Sequence, residues 1–316
     1  MTDMKIICVG DLCCDLIVPY GKMQDALARG DISKETTDRL QVTMQCGGSV
    51  GNVARHLGKL QENPVFITPL KKDNLGEYLS DEMEKAGVDM RWAAPSARSN
   101  MYCVAVLDQT GERTMFCFVP PWADYPRFDR HSFAHVPPFP RQILFTSGMA
   151  VLDDRDHNES LLQFLTNRKE AGAMIVFDLN VRAESYGYEG ERKRAMEKMI
   201  ELCDILLGSG KEEFAQVTGL SNIRKAADRL QMQGAGTVIA RDGGNPILVL
   251  DRDNEYTVPV KPIRPISTVG AGDCFDAMFL SCLSQGKEIP EAVLRASDYA
   301  GQYISGGQFM AGPTES

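Results

Sequence analysis

The chain has 316 residues, of which 43% are hydrophobic, so it is long enough to bury the core of one large α/β domain. Its formal net charge of -9 and the lack of basic runs argue against nucleic acid or a membrane surface as a partner. Nine cysteines without Cys-x-x-Cys spacing argue against a structural zinc site. They are typical of a reduced, cytoplasmic protein, as is an N-terminus without a signal-peptide pattern.

Short apolar runs alternate with helical patterns along most of the chain. The runs are rich in β-branched residues and are predicted to be strands; they are 5–9, 65–68, 143–146, 174–177, 205–207 and 238–240. Between them apolar residues recur at helical spacing, for example at Val50, Val53, Leu57 and Leu60. This alternation predicts a single α/β domain over residues 1–316, with a mostly parallel central sheet and helices on both of its faces.

Two segments interrupt this alternation. Residues 100–119 read as a β-hairpin with a polar turn at 108–111, and residues 12–45 contain extended stretches at both ends with an irregular polar stretch between them. Because these strands cannot all lie in the parallel sheet, we expect a small β lid built from about 12–45 and 91–120 that covers a site. Surface hairpins without that role are the alternative.

The glycine-rich stretch before Asp273 is the clearest local signal of chemistry. Gly270, Ala271 and Gly272 run directly into a strongly apolar helical pattern, and free main-chain N–H groups at a helix start attract phosphate. Asp273 lies in the first turn of that helix, where a carboxylate kept ionised by the helix dipole can accept a proton from an attacking hydroxyl. An ordinary loop with an acidic helix start is the alternative interpretation.

Two further stretches are candidates for an acceptor site. The run 46–54 (CGGSVGNVA) opens another predicted helix, and Asp15 follows the first predicted strand. Each is also typical of a glycine-rich helix entry or a solvated turn residue. The sequence contains no P-loop, and no Gly-x-Gly-x-x-Gly follows a strand, which weakens the case for a dinucleotide-binding protein.

In this order the stretches resemble the signatures of the PfkB or ribokinase-like family of carbohydrate kinases, and the similarity covers nearly the whole chain. The N-terminal signature, Gly-Gly-x-x-x-Asn-x-Ala, is matched by Gly47, Gly48, Asn52 and Ala54; the C-terminal one, Asp-Thr-x-Gly-Ala-Gly-Asp, is matched from its second position by 268–273. The resemblance implies a ribokinase-like fold, ATP with Mg²⁺ as phosphoryl donor, and a small sugar-like acceptor.

The resemblance also implies roles for individual residues. Asp273 is expected to be the catalytic base, beside an anion hole formed by Gly270, Ala271 and Gly272. Residues next to the nucleotide are Thr268, Gly270 and Gly272, and residues that bind the acceptor are Asp15, Gly47, Gly48 and Asn52. The lid also forms a homodimer interface in many members.

Arg182 ends the run 178–182 (DLNVR), which resembles the Asp-x-Asn-x-Arg segment of fructokinase-like and ketodeoxygluconate-kinase-like members. An arginine that faces the site can clamp a substrate carboxylate or stabilise phosphoryl charge. A surface arginine is the alternative.

Three positions depart from the family pattern. The Asn-x-x-Glu segment near the metal reads GKEE at 210–213, which leaves Glu213 to hold Mg²⁺ through water. Ser267 replaces an aspartate that helps to bind an activating monovalent cation in ribokinase-type members, which argues against potassium dependence. The run 241–245 (RDGGN) replaces a glycine-containing turn, so contacts to the nucleotide phosphates are expected to differ there.

Three functions remain open at this point. The leading hypothesis is an ATP-dependent kinase for a primary hydroxyl of a small sugar or sugar acid. A nucleoside kinase of the same family is the second, with Met101, Tyr102 and Phe116 of the lid as candidate pocket residues. A non-catalytic sugar- or nucleotide-binding regulatory protein is the third, motivated by the changes at Gly210 and Asp242.

Overall fold

The structure is a computed structural model that describes residues 4–109, 113–118, 125–252, 254–266 and 268–306. Its strands are β1 (Lys5–Val9), β2 (Cys13–Val18), β3 (Thr43–Gly47), β4 (Val65–Ile67), β5 (Pro69–Leu70), β6 (Ala94–Pro95), β7 (Met101–Leu107), β8 (Arg113–Phe118), β9 (Gln142–Ser147), β10 (Met174–Asp178), β11 (Ile205–Ser209), β12 (Thr237–Arg241), β13 (Ile247–Asp251) and β14 (Asn254–Val258). Its helices are α1 (Tyr20–Ala28), α2 (Lys34–Arg39), α3 (Ser49–Lys59), α4 (Asn74–Lys85), α5 (Arg155–Glu170), α6 (Ala183–Tyr186), α7 (Gly190–Leu202), α8 (Lys211–Thr218), α9 (Ile223–Met232), α10 (Ala271–Ser284) and α11 (Ile289–Ile304). None of the helices in these ranges combines the length and the hydrophobicity that a membrane span requires.

Eight strands form the central sheet, in the order β14-β13-β12-β11-β10-β9-β1-β4. The strands from β12 to β4 are parallel, and they are the six that the apolar runs predict. Parallel neighbours have to be joined by crossovers, which explains why helical patterns separate the runs. The predicted α/β fold with a mostly parallel sheet is confirmed.

Successive residues of each parallel strand enter different cores, because side chains alternate between the faces of a sheet. Ile6 and Cys8 of β1 pack in the core that α3, α4, α10 and α11 cover. Ile7 and Val9 pack in the opposite core, under α5, α7 and α9. Helices therefore cover both faces, as predicted, and the strands between them carry unbroken apolar runs.

The antiparallel pair β13 and β14 extends the sheet beyond β12 and was not among the predicted strands. β13 is buried over most of its length, but β14 lies at the edge of the sheet, where Val258 is its one buried residue. An edge strand of this kind gives no strong apolar pattern, since most of its side chains face water.

A second sheet has four strands, in the order β3-β2-β7-β8. β2 is parallel to β7 and antiparallel to β3, and β7 forms an antiparallel hairpin with β8. These strands fall inside the two segments predicted to form a lid, except that β3 continues to Gly47. The turn at 110–112 and residues 119–120 of the predicted lid lie outside the described residues. Action as a lid remains a prediction.

The stretch between β2 and β3 is helical, which corrects the expectation of irregular structure. Ser33 caps α2 by accepting a hydrogen bond from the N–H of Thr36 at 3.3 Å. Gly21 and Ala26 are the buried residues of α1, and α2 has none. Helices that bury so little surface show no apolar stripe, so their sequence reads as polar and irregular.

Candidate active site

The carboxyl ends of three parallel strands and the starts of two helices meet at one edge of the central sheet. β1 leads into Asp11, β10 ends at Asp178 and β12 ends at Arg241. Side chains at or just after these strand ends form hydrogen bonds with the first turns of two helices: Asp11 and Asn180 with α3, and Arg241 with α10. Ligands of open α/β sheets bind outside the carboxyl ends of the strands, so this edge is the candidate site.

The starts of α3 and α10 meet at Asp273. Its carboxylate accepts hydrogen bonds from the hydroxyl of Ser49 at 3.1 Å and from Nδ2 of Asn52 at 2.9 Å. Ser49 and Asn52 lie three residues apart and therefore project from the same face of α3. The two glycine-rich stretches thus contact each other directly, although Asn52 and Asp273 are 221 positions apart in the chain.

The hydrogen bonds at Asp273 continue on both sides of the carboxylate. On one side Asn180 donates to the hydroxyl oxygen of Ser49 at 2.8 Å, and Nε of Arg182 donates to Oδ1 of Asn180 at 2.9 Å. On the other side Nη2 of Arg55 donates to Oδ1 of Asn52 at 3.3 Å. Neutral polar groups thus connect the carboxylate to an arginine on each side and fix its orientation.

The segment that carries Asn180 and Arg182 has a strained backbone. The φ angles of these residues are 30° and 46°, in the left-handed region that residues other than glycine seldom adopt. Main-chain contacts hold the residue between them: the N–H of Val181 donates to Glu213 at 3.0 Å, and its carbonyl accepts from Arg192 at 2.6 Å. Strain that the surroundings enforce in this way is common at functional sites.

The start of α10 presents main-chain donors. Gly270 has a φ of 77°, which glycine adopts without strain, and it turns the chain into the helix. The N–H groups of Gly272 and Asp273 have no acceptor within the described residues, whereas that of Ala271 donates to the carbonyl of Thr268 at 3.2 Å. Of the three residues predicted to form an anion hole, Gly270, Ala271 and Gly272, the turn itself uses the donor of Ala271, while the donor of Asp273 is open as well.

The start of α3 is closed by Asp11, a residue that was not predicted. The carboxylate of Asp11 accepts from the N–H groups of Ser49 at 2.6 Å and Val50 at 3.2 Å, and its carbonyl accepts from Gly51 at 3.1 Å. A Cβ on Gly48 would lie 2.8 Å from that carbonyl oxygen, so a glycine is required there. Since Asp11 occupies the first donors of α3, the start of α10 is the one open to an anion.

Asp15 of β2 lies directly against Gly47 of β3. A Cβ on Gly47 would come within 2.5 Å of Oδ1 of Asp15, so only glycine leaves room for the carboxylate. Asp15 is buried and on the lid sheet, and Gly47 and Gly48 lead directly into α3. The structure thus places the predicted acceptor residues Asp15, Gly47, Gly48 and Asn52 around the junction between the lid and α3.

Arg241 lies beneath the start of α10 in a buried ion network. Its guanidinium donates to Asp276 at 2.7 Å, to Asp178 at 3.3 Å and to the carbonyl of Gly272 at 3.4 Å. Burial disfavours the charge, but Asp276, Asp178 and Glu213 raise the pKa of Arg241 above its usual range. This side chain, expected near the nucleotide phosphates, supports the main chain at the start of α10 through the carbonyl of Gly272.

Glu213 connects the loops that follow β10 and β11. Its two oxygens accept from the N–H groups of Val181 at 3.0 Å and Ser209 at 2.6 Å. Burial and the nearby charge of Asp178 raise the pKa of Glu213 above its ordinary value. Main-chain donors occupy one acceptor position on each oxygen, which favours the predicted contact with Mg²⁺ through water over direct coordination.

The carboxyl group of Asp273 does not have the low pKa expected beside a helix start. Burial raises the pKa of Asp273 to about 7, the charges of Asp178 and Asp11 act in the same direction, and the hydrogen bonds from Asn52 and Ser49 oppose them. Desolvation therefore outweighs the two hydrogen bonds that favour the charged form. A carboxylate with a pKa near neutrality is suited to accept a proton and release it again.

The sequence pattern that defines the pfkB family carbohydrate kinases matches residues 3–313. This chain belongs to that family. The family match confirms the predicted family, and with it the carbohydrate kinase activity and the use of ATP that the family implies. The alternative of a non-catalytic regulatory protein finds no support, because Asp273 and the open donors beside it are in place.

Relatives of this pfkB kinase act on different acceptors. An aminoimidazole riboside kinase from Salmonella typhimurium is 28% identical over 268 residues, which cover 84% of this chain and 82% of that protein. A 5-dehydro-2-deoxygluconokinase from Clostridium perfringens is 23% identical over 300 residues, which cover 92% of this chain and 87% of that protein. The solved structure of a fructokinase from Vibrio cholerae O395 with fructose, ADP and calcium bound has a TM-score of 0.80 at 23% identity, covering 98% of this chain and 96% of that one. The ribokinase-like fold of this pfkB kinase is thus confirmed.

Replacement of Ser49 by alanine is expected to shift the pH dependence of the kinase. If Asp273 is the catalytic base, it has to be deprotonated, so kcat/KM should fall as the pH drops below its pKa of about 7. Ser49→Ala removes a hydrogen bond to the charged form and should move the midpoint of that fall upward by about one pH unit. Ser284→Ala, a buried serine that bonds to Glu62, is the control and should leave the midpoint unchanged. A midpoint that stays in place or moves down in Ser49→Ala contradicts the role of this contact.

Replacement of Gly47 by alanine tests the close approach of Asp15. The added Cβ displaces the carboxylate, so we expect the KM for the acceptor to rise by about tenfold or more, with little change in the KM for ATP. Gly301→Ala in α11, where a Cβ would lie no closer than 3.6 Å to Ile263, is the matched control. Steady-state kinetics with each substrate varied in turn measure both constants. An unchanged acceptor KM in a folded Gly47→Ala protein argues against acceptor binding by Asp15.

Proposed function

We propose that this pfkB kinase transfers the terminal phosphoryl group of MgATP to a primary hydroxyl of a small sugar or sugar acid. One observation carries the proposal: a carboxylate with a pKa near 7 is held by Ser49 and Asn52 beside the open N–H groups of Gly272 and Asp273. A base and an anion site within one helical turn are what transfer of a phosphoryl group to an alcohol requires.

Asp273 accepts the proton of the acceptor hydroxyl as the new O–P bond forms. Ser49 and Asn52 hold both carboxylate oxygens, so the base keeps its direction while it changes protonation state. The N–H groups of Gly272 and Asp273 stabilise the negative charge on the phosphoryl oxygens, and the dipole of α10 adds to this effect. Thr268 and Gly270 shape the turn along which the nucleotide lies.

Glu213 is the residue of this chain that would hold magnesium, through water. Both of its oxygens already accept main-chain N–H donors, and Mg²⁺ usually keeps several of its waters, so an outer-sphere contact fits this donor set. When bound, the ion neutralises charge on the ATP phosphates. Ser267, the position that bears on a monovalent cation, lies outside the described residues.

The acceptor lies between α3 and the lid sheet. Asp15 binds its hydroxyl groups by accepting hydrogen bonds, Asn52 lies beside the base, and the glycines at 47 and 48 leave room for the sugar ring. Lid closure excludes water, which suppresses hydrolysis of ATP in the absence of acceptor. Arg182, which is exposed and oriented by Asn180, binds an acceptor carboxylate.

A cavity beside the site favours a riboside as a second candidate acceptor. It has a volume of about 340 Å³ and begins at Gly10 and Asp11, next to the start of α3. Leu12, Met101 and Phe128 give it an apolar lining. The hydroxyl of Thr68 also lines it and is buried without a hydrogen-bond partner in the described structure. Arg127, Asp153, Asp154 and Arg192 also line the cavity, but its apolar wall with an unused hydroxyl fits a heterocyclic base, which a simple hexose does not have.

The exposed side of the lid supports a homodimer. Three large apolar residues of the lid are about half exposed. Val42, just before β3, is 49% exposed, Met44 of β3 is 47% exposed and Phe116 of β8 is 48% exposed. Apolar side chains grouped on a small sheet mark an interaction surface, and a second copy of the chain is the partner that we propose. A cytoplasmic location and the absence of nucleic-acid or membrane partners remain predictions from composition.

Replacement of Asp273 by asparagine tests the proposed chemistry. Asparagine keeps the shape and a hydrogen-bonding oxygen but cannot accept the proton, so kcat should fall by about three orders of magnitude or more. Release of ADP, measured with a panel of hexoses, sugar acids and ribosides, reports both the effect and the preferred acceptor. Asp228→Asn on the surface is the matched control. Turnover close to normal in a folded Asp273→Asn protein would contradict the role of Asp273 as the base.

Replacement of Arg182 by alanine separates acid from neutral acceptors. If the guanidinium binds a carboxylate, the KM for a sugar acid should rise by about tenfold or more while that for a neutral sugar changes little. Arg224→Ala, in a surface pair with Glu255 of the edge strand β14, should change neither constant. Equal increases in KM for acid and neutral acceptors would indicate instead that Arg182 stabilises the charge of the transferring phosphoryl group.

A further inference from the structure

Two thiols and a carboxylate share one buried face of the lid sheet. Cys13 and Asp15 are two residues apart on β2, and Cys103 of β7 is the register partner of Asp15. Residues two apart on a strand point to the same face, and so do direct partners on neighbouring strands. The three residues are 3%, 8% and 4% exposed, so water does not separate their side chains.

The three ligand atoms have the spacing of a metal site. Sγ of Cys13 lies 3.5 Å from Oδ1 of Asp15 and 4.0 Å from Sγ of Cys103, and all three atoms lie within 4.8 Å of one another. Zinc binds sulfur at about 2.3 Å and oxygen at about 2.0 Å, which for tetrahedral angles puts two sulfurs about 3.8 Å apart and a sulfur and an oxygen about 3.5 Å apart. A small adjustment of side chains therefore completes three coordination positions.

We propose that Cys13, Asp15 and Cys103 form a binding site for a thiophilic divalent cation, with Zn²⁺ as the best match. Two sulfur ligands select zinc over magnesium, which prefers six oxygen ligands. The absence of Cys-x-x-Cys spacing does not argue against it, because strand pairing brings Cys13 and Cys103 together across 90 positions. Zinc binds thiolates, so both thiol protons pass to the solvent when the ion binds.

Occupation of this site inhibits the kinase by competition with the acceptor. This step rests on the proposed function, in which Asp15 binds the hydroxyl groups of the acceptor. A carboxylate oxygen that is bound to zinc is no longer available to them. With three protein ligands the fourth position is left for water, as in zinc sites that stay open to small molecules. Free zinc should raise the apparent KM for the acceptor and leave kcat and the KM for ATP unchanged.

The binding step is tested without substrates, on the full-length protein reduced with a phosphine and freed of metal by a chelator. Addition of Co²⁺ should give one equivalent of bound ion with a thiolate-to-cobalt charge-transfer band, and Zn²⁺ should abolish that band. Cys103→Ser and Cys13→Ser should each lose the band and weaken zinc binding by at least about tenfold, since even an outer-shell partner of a metal site is worth that much. Cys203→Ser, a buried cysteine on the far side of the central sheet, should bind like the unchanged protein. No band in the unchanged protein, or equal zinc binding by Cys103→Ser, overturns the site.

The inhibition step is tested by acceptor kinetics at buffered free zinc and a fixed excess of MgATP. The unchanged protein and Cys203→Ser should show a rise in acceptor KM with zinc, whereas Cys103→Ser should need at least about tenfold more zinc for the same rise. ATP binds the same share of the zinc in every assay, so this binding does not affect the comparison between variants. Stoichiometric binding without any change in acceptor KM supports the metal site and overturns the acceptor role of Asp15.

Discussion

The hydrogen bonds from Ser49 and Asn52 to Asp273 are the contacts on which the rest of the site depends, because they join the starts of two helices. Two helix starts that meet bring two positive dipole ends together. The two positive ends are treated differently. The carboxylate of Asp11 accepts hydrogen bonds from the first N–H groups of α3, whereas the N–H groups of Gly272 and Asp273 on α10 stay open. In the proposed mechanism one helix thus positions the base and the other binds the anion.

The fold could be predicted wherever burial leaves a periodic pattern. The six parallel strands are covered on both faces, so each reads as an unbroken apolar run. The pattern disappears where an element is only partly covered: β14 buries Val258 alone, and α2 buries nothing. Such elements depend on caps and neighbours, like the hydroxyl of Ser33 at the start of α2, and these contacts are set by the tertiary structure.

The candidate site was predicted as far as its glycines and its base, because these are unusual residues in a fixed order. Asn52 was predicted as an acceptor residue, but Ser49, the other partner of Asp273, was missed: a serine after two glycines carries no signal of its own, and Asn180 reaches Ser49 from 131 positions away. The ion network left a signal that could have been used. Arg241 and Asp276 interrupt apolar stretches, and a charge in a buried element needs an opposite charge nearby. Which charges pair is decided by the order of the strands, and composition does not contain that order.

The electrostatic balance of the site explains why its open donors are main-chain groups. Arg241 is one buried cation among the acids Asp178, Asp276 and Glu213, and it bonds to the first two. Removal of one partner from a buried ion network costs about 3–5 kcal/mol, so the cation is needed to keep these acids in place. Even so the acids exceed the cation, and Asp178 adds to the burial that raises the pKa of Asp273 to about 7. A second buried cation close to Asp273 would lower that pKa and weaken the base. The N–H groups of Gly272 and Asp273 attract phosphate with partial charges alone, and so an anion can be bound beside a carboxylate that still accepts a proton.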